Sequence, residues 1–227
     1  RGEAHAHLAA VTDPGSFRGF PPAALEFYRG LAADNSKTFW ADQRSVYDEA
    51  VRGPLEALAA EVEDRYGEFR IFRPNRDVRF SKDKSPYKTH HAAGFGWAGG
   101  SSGSEGGRSA EEGGAGGGYF SLAPGEIYIG GGMWHPEPAR LAAFRRLVDT
   151  DPARVLAAAE EAGFVKEFGA LEGDRLSRVP QGYAKDHPHA ELLKLKDVTF
   201  SRRLSDAEVF SPKLPDTMAR SFAKARP

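Results

Sequence analysis

The segment RPNRDVRFSKDKSPYKT, at 73–89, holds the densest group of polar side chains in the chain. Between 70 and 89, seven cations stand against Asp77 and Asp83, a local balance of seven minus two, or +5, in a chain of net charge −1. Arginine grips a phosphate or carboxylate with paired hydrogen bonds, and lysine adds a point charge. We expect a small anionic or phosphorylated ligand here, bound through Arg76, Arg79, Lys82, Lys84, Tyr87 and Lys88 with Trp134 as an apolar wall.

An acidic stretch offers a second interpretation of the same cations. Residues 48–68 contain seven carboxylates and two arginines, a balance of −5. If this stretch packs beside the basic segment, the two would form an internal ion-pair network and no ligand site. Both interpretations stay open at the level of sequence.

Proton-transfer chemistry is suggested by PQGYAKDHP, at 180–188. Tyr183, Asp186 and His187 supply a phenol, a carboxylate and an imidazole within five residues, and a histidine titrates near neutral pH. We expect these three as catalytic groups that meet the basic segment in one cleft, with His187 as a base. The structural alternative is that Asp186 caps a helix whose first turn contains Pro188.

Metal and cofactor motifs are missing from the sequence. The seven histidines show no HExxH-type spacing, and adjacent His90 and His91 on a strand would point to opposite faces. No metal site is expected, and no cofactor is implied. The GGGMW stretch, at 130–134, is expected to be a turn that lets the backbone approach a neighbour or a ligand closely.

Composition narrows the class of protein. A net charge of −1 argues against a surface shaped throughout for nucleic acid or anionic membrane. The absence of cysteine excludes disulfides and thiolate metal sites, and no apolar run is long enough to cross a membrane. We expect a soluble, cytoplasmic protein without membrane partners; its oligomeric state is left open.

The elements that must position these groups follow from periodicity. Residues 1–16 are expected to be a loose tail or an expression remnant, and 17–227 a single α+β domain. Helical spacing precedes and follows a block of short aromatic-rich strands, which predicts a mainly antiparallel sheet packed with N- and C-terminal helices. A Gly/Ser-rich stretch at 98–118 is expected to be a flexible insertion.

Finer expectations concern element boundaries. Pro54 predicts a kink or break near Gly53 in a helix that ends at Gly67. Strands are expected at 69–73, 78–80, 91–97, 119–123 and 126–130, with a hairpin turn at Pro124-Gly125. After a helix from about Pro138, a second helix should begin at Pro152 and end at Gly163, and Ser205 should open a capping box.

Several of these motifs together resemble a known family. They are Phe17-Arg-Gly-Phe20, Asn35 with Phe39-Trp40, Arg76-Asp77-Val-Arg79-Phe80-Ser81-Lys82-Asp83-Lys84, Pro86-Tyr87-Lys88-Thr89, Gly130-Gly-Gly132-Met-Trp134, and Pro180-Gln-Gly182-Tyr183 with Asp186-His187-Pro188. The set is similar to the bacterial and fungal family called domain of unknown function 2461, over about residues 17–210. The resemblance implies no reaction, cofactor or partner.

Three functions remain, in order of preference. The first is a protein that binds a small anionic ligand and, if it is an enzyme, turns it over; whether it is an enzyme is left open. The second is a scaffold or interaction protein without catalysis. The third, which is not favoured, is a nucleic-acid module whose aromatic side chains stack on bases.

Overall fold

The N-terminal helices of the computed structural model, which describes residues 16–67, 69–96 and 117–225, form one side of the core. They are α1 (Ala23–Ala33), α2 (Lys37–Asp42), α3 (Arg44–Tyr47), a π-helical turn (Asp48–Arg52) and α4 (Gly53–Tyr66). The side chain of Ser36 caps α2 by accepting a hydrogen bond from the Phe39 N–H. The expected N-terminal tail lies outside the described residues, except for Ser16.

The π-helical turn is the structural response to Pro54. Proline has no N–H and its ring clashes with the carbonyl one turn earlier, so regular α-helical bonding cannot continue through it. The Gly53 N–H bonds instead to the carbonyl of Asp48, five residues back. The predicted irregularity near Gly53 is therefore confirmed, and it is a widened turn rather than a break.

Five strands form an antiparallel sheet in chain order: β1 (Phe69–Ile71), β2 (His91–Phe95), β3 (Gly117–Leu122), β4 (Tyr128–Met133) and β5 (Val198–Arg203). The expected hairpin turn joins β3 to β4: Gly125 has φ 74°, and the Glu126 N–H bonds to the Ala123 carbonyl at 3.0 Å. This is the geometry of a type II turn with proline in its first central position. The α+β prediction is confirmed.

Three details of the predicted sheet are wrong. Residues 78–80 form no strand, and Phe80 is 96% exposed. Residues 78–80 alternate apolar and polar side chains, but in the described part of the chain no neighbouring strand pairs with them. The GGGMW stretch is not a turn, because residues 130–133 belong to β4. Of the expected insertion, residues 98–116 lie outside the described residues, whereas Gly117 and Gly118 pair with β4 inside β3.

One face of the sheet carries the main core. The side chains of Phe95, Phe120 and Ile129 are buried on it beneath α1, α4 and α10. Arg202, on the same face, binds Glu167 at 3.1 Å and Glu208 at 2.5 Å, which ties β5 to the helices that follow. The opposite face is floored by small residues and remains open to a cleft.

The remaining helices are α5 (Pro138–Thr150), α6 (Pro152–Ala159), α7 (Ala162–Phe168), α8 (Ala190–Leu193), α9 (Asp206–Val209) and α10 (Leu214–Ala223). The helix expected to end at Gly163 ends at Ala159, and Glu161 caps a new helix by accepting from the Phe164 N–H. The Ser205 capping box is confirmed. Among the described helices, none has the length and apolar character needed to span a membrane.

Candidate binding cleft on the open face of the sheet

A cavity of about 940 Å³ lies on the open face, within the size range of small-molecule sites. Its lining combines glycine backbone, aromatic rings, two cations and two carboxylates. The lining residues are Arg76, Asp77, Lys88, His90, Gly117, Gly118, Tyr119, Tyr128, Gly130, Gly131, Gly132, Trp134, Glu172, Thr199, Phe200 and Ser201. We call this cavity the cleft.

Strand register explains the floor of the cleft. Tyr119, Gly130 and Ser201 are partners in one row across β3, β4 and β5. Because side chains alternate between faces, these residues share the open face. At Gly132, φ is +116° and an added Cβ would lie 2.2 Å from the Val198 carbonyl oxygen. Close approach of β4 to β5 therefore requires glycine at this position. Because glycine has no side chain, the floor of the cleft there consists of backbone alone.

A short backbone ladder supplies the cationic wall. The Arg76 N–H bonds to the Pro86 carbonyl at 2.9 Å, and the Lys88 N–H bonds to the Pro74 carbonyl at 2.8 Å. Tyr87, which precedes Lys88 and pairs with Asn75 in this ladder, has its side chain on the core side. Its ring stacks on Trp40 with centroids 4.3 Å apart. Alternation along the segment thus directs Tyr87 to the core and Lys88 to the cleft.

Asn35 fixes this ladder to the N-terminal helices. Its side-chain amide donates to the Tyr87 carbonyl and accepts from the Tyr87 N–H, both at 3.0 Å. A side-chain amide can pair in this way with the N–H and C=O of a single residue, as a residue of a neighbouring strand would. The position of the cationic wall is consequently set by a residue distant in sequence.

Both carboxylates of the basic segment are already bound by its arginines. Arg79 binds both oxygens of Asp77 through its side chain and donates from its backbone N–H, which together lower the pKa of Asp77 to about 2. Hydrogen bonds from Ser85 and Arg76 hold the pKa of Asp83 well below its usual range. Both carboxylates therefore stay ionised at neutral pH and offset part of the segment's positive charge.

The charge of the wall is smaller than the segment's +5. Arg76 and Lys88 are balanced in the lining by Asp77 and Glu172. Including the partners Arg79 and Asp83, the wall formed by the basic segment has three cations and two carboxylates, an excess of one. Arg70, Arg73, Lys82 and Lys84 do not line the cleft.

Trp134 forms an aromatic wall at the end of β4 and is 47% exposed. Its indole stacks on the imidazole of His135, with centroids 4.2 Å apart and planes 18° apart. The buried Asp197 carboxylate accepts from the His135 N–H at 2.7 Å and lies 3.0 Å from its Nδ1. Asp197 therefore holds the His135 ring in place, and that ring supports one face of the exposed indole.

The far edge of the cleft is polar. Glu172 forms an isolated antiparallel bridge with Thr199 at the outer edge of β5. The Ser201 hydroxyl donates to the Glu172 carboxylate at 3.1 Å. This edge presents hydrogen-bond acceptors, opposite in character to the wall of Arg76 and Lys88.

Comparison with models of protein families shows which family this chain belongs to. The family model described as "Conserved hypothetical protein (DUF2461)" matches residues 23–227. The chain belongs to this family. The match confirms the resemblance carried by the sequence motifs. Searches of curated proteins and of solved structures find no match.

The predicted ligand-binding residues of this DUF2461 chain have different positions. Arg76, Lys88 and Trp134 line the cleft. Arg79 and Lys84 instead brace their own loop, since Arg79 binds Asp77 and the Lys84 ammonium donates to the Val78 carbonyl. Lys82 is exposed outside the lining, and Tyr87 is buried against Trp40.

The predicted catalytic residues lie elsewhere. Tyr183 packs on a second small core around Val148 and Leu193, and His187 Nε2 lies 3.5 Å from Asp149 of α5. Of the described lining residues, none comes from 180–188. The two motifs therefore do not line one cleft, because the loop's own apolar side chains pack against α5.

Helix capping does not account for Asp186 either. The helix after the loop, α8, begins at Ala190 and receives no side-chain cap from its N-cap residue, His189. The His189 N–H instead bonds to His187 Nδ1 at 3.0 Å. Asp186 is exposed on the surface of the loop.

The acidic stretch does not neutralise the basic segment. Asp48 pairs with Arg44, and Glu56 pairs with Arg52, both at 2.8 Å along the same helical run. Among the described residues, no salt bridge joins 48–67 to 70–89. The alternative interpretation, an ion-pair network between the two stretches, therefore finds no support in the described part of the chain.

Sequence reasoning missed most of the lining. Tyr119, Tyr128, Thr199 and Ser201 could have been found by period-two alternation once the strands were paired. Glu172 has no such signal, because it comes from a loop. The expected split of the histidine pair is confirmed: His90 lines the cleft, and His91 is buried. The described residues contain no group of three or more carboxylate and histidine side chains suited to a metal ion.

Proposed function

We propose that this protein binds a small anionic ligand in the cleft on the open face of the sheet. The observation that carries the proposal is that a backbone ladder places Arg76 and Lys88 at diagonal positions on one wall of the cleft. Such a pair can hold a phosphate or carboxylate by charge-assisted hydrogen bonds.

The guanidinium of Arg76 has remaining bonding capacity. Asp83 contacts one of its nitrogens, and among the described residues the other two have no hydrogen-bond partner. The side chain is 30% exposed, so it is partly shielded from water. An anion arriving in the cleft would meet donors that are already oriented, which reduces the entropy lost on binding.

A panel of phosphorylated and carboxylated metabolites, measured by thermal shift and then calorimetry, tests the proposal. At least one should raise the melting temperature, and Arg76→Ala should weaken its binding by about tenfold or more, the usual effect of losing a charge-assisted bond. Lys82→Ala is the matched control, because it removes an equal charge from the same segment at an exposed position outside the lining. If both variants lose equal affinity, general electrostatics explains binding and the cleft does not.

A second candidate function is supported by the loop at 77–84. Phe80 is 96% exposed at its surface, and the Arg79 guanidinium lies 5.9 Å from the ring centroid. An exposed aromatic side chain among cations is typical of single-stranded nucleic-acid contacts. Binding of an oligonucleotide that falls steeply with salt and is lost in Phe80→Ala would favour this function over the first.

A further inference from the structure

We propose that the ligand of the cleft carries a planar ring as well as a phosphate, as a nucleoside monophosphate does. This inference rests on the proposed function, because Arg76 and Lys88 would hold the phosphate. It adds the chemistry of the other end of the ligand, which the aromatic wall and the acidic edge would recognise.

Backbone strain at the aromatic wall is the first observation. His135 has φ +45°, and it is the one non-glycine residue with positive φ in the described part of the chain. Such conformations persist where the surroundings enforce them, and they cluster at functional sites. Here Asp197, with a side chain only 5% exposed, enforces it through two contacts to His135.

The second observation is the exposed aromatic surface of Trp134, which this backbone conformation supports. Trp134 rests on the His135 ring and remains 47% exposed, so the arrangement does not serve to bury the indole. A large aromatic side chain that is fixed on one face and open on the other is suited to stacking with a planar ring. The neighbouring lining supplies further aromatic rings from Tyr119 and Tyr128.

The acidic edge lies at the same end as the aromatic wall. Gly132 pairs with Thr199, Thr199 bridges to Glu172, and Trp134 follows two residues after Gly132. A carboxylate accepts hydrogen bonds and repels anions, so this end favours ring amines or sugar hydroxyls over a phosphate. The ligand is thereby oriented, with its phosphate toward the opposite wall.

The floor of the cleft is long enough for an extended ligand. His90 immediately precedes β2, and Ser201 lies on β5, three strand positions away and level with Gly94. With neighbouring strands about 4.8 Å apart and about 3.3 Å per residue, the floor between His90 and Ser201 runs about 14 Å across the strands and about 13 Å along them, about 20 Å in all. A phosphate joined through a sugar to a heterocyclic ring would extend along this floor, whereas inorganic phosphate would occupy one end only.

Calorimetric titration with four probes tests the inference: AMP, CMP, ribose 5-phosphate and adenosine. Stacking on an aromatic side chain contributes about 5- to 150-fold in affinity. We therefore expect AMP or CMP to bind at least tenfold more tightly than ribose 5-phosphate. Trp134→Ala should reduce nucleotide affinity to that of ribose 5-phosphate and leave ribose 5-phosphate itself within twofold.

Two variants separate stacking from structural damage. Trp134→Phe keeps a planar ring and should retain most of the nucleotide preference. Phe80→Ala removes an exposed aromatic ring outside the lining and should change nothing. Circular dichroism of each variant checks that the fold is intact.

Failure of the inference differs from failure of the proposed function. If ribose 5-phosphate binds as tightly as the nucleotides, or Trp134→Ala weakens both alike, the cleft holds an anion without reading a ring. If none of the phosphorylated probes binds, this inference is overturned, and a negative metabolite panel would overturn the proposed function too. Binding of oligonucleotides alone, lost in Phe80→Ala, would overturn the inference in favour of a nucleic-acid surface.

Discussion

The buried histidine behind the cleft should make folding stability depend on pH. His91 is 2% exposed, and its Nδ1 lies 3.2 Å from the Tyr28 hydroxyl and 3.4 Å from the Tyr47 hydroxyl. Burial, and to a smaller extent the neighbouring positive groups, lower its pKa to about 4. The folded protein therefore holds a neutral imidazole at pH values where a free histidine is charged.

The sign and size of the effect follow from proton linkage. The unfolded chain binds a proton at His91 below its ordinary pKa of 6.5, whereas the folded chain does so only below about 4. Stability is fully present above pH 6.5 and is lost as the pH falls from 6.5 toward 4. At pH 5.0 these two pKa values correspond to a loss of about 2 kcal/mol relative to pH 7.5.

Urea unfolding at pH 7.5 and pH 5.0 measures this loss. With a slope of about 2 to 3 kcal/mol per molar urea, the wild-type midpoint should fall by about 0.7 to 1 M. His91→Gln keeps a polar group beside the two tyrosines but cannot titrate, so its midpoint should change much less. His90→Gln, on the adjacent residue, is the control and should retain the loss.

Equal falls in the wild type and in His91→Gln would refute the reasoning. The pH dependence would then come from other groups, and the buried imidazole would not be the dominant proton-linked site above pH 5. A wild-type midpoint that did not move would show that His91 becomes protonated within the folded protein.

Three further predictions concern the glycine floor of the cleft, the exposed loop beside it and the anchor of the cationic wall. Gly132→Ala should lower the free energy of unfolding by about 3 kcal/mol or more in the urea assay, because the added Cβ would lie 2.2 Å from a β5 carbonyl oxygen. Gly125→Ala is the control: Gly125 also has positive φ but has open space around it, so the free energy of unfolding should fall by only about 1 to 2 kcal/mol. Phe80→Ser should change the free energy of unfolding by less than about 0.5 kcal/mol, and a larger loss would show that the ring packs. Asn35→Ala removes two hydrogen bonds to Tyr87 and should lose about 1 to 3 kcal/mol by chemical unfolding; an unchanged midpoint would mean that the ladder needs no such anchor.

The sequence predicts the fold well where a pattern repeats over several turns. Leu214, Met218 and Phe222 recur at helical spacing, and all three are buried in α10. The alternation at 78–80 is too short to distinguish a strand from a loop, because a strand also needs a partner. Local pattern therefore predicts the long elements and fails on the short basic segment.

The candidate site is less predictable, because its parts meet only through pairing. Asp197 supports Trp134 through His135, 62 residues away in sequence. Nothing in the local sequence of Asp197 shows this contact. Conversely, the polar residues at 183–187 have the side-chain types of a catalytic site. Their loop nevertheless packs its apolar side chains against a separate small core, away from the cleft.

The central claim, that the cleft holds a small anion against Arg76 and Lys88, is tested most directly by a crystal structure obtained with a saturating phosphorylated ligand from the binding panel. The account predicts phosphate density within hydrogen-bonding distance of both side chains, about 3 Å, with the remainder of the ligand over the glycine floor. Density for the same ligand beside His187, or at 79–84 outside the cleft, would contradict it.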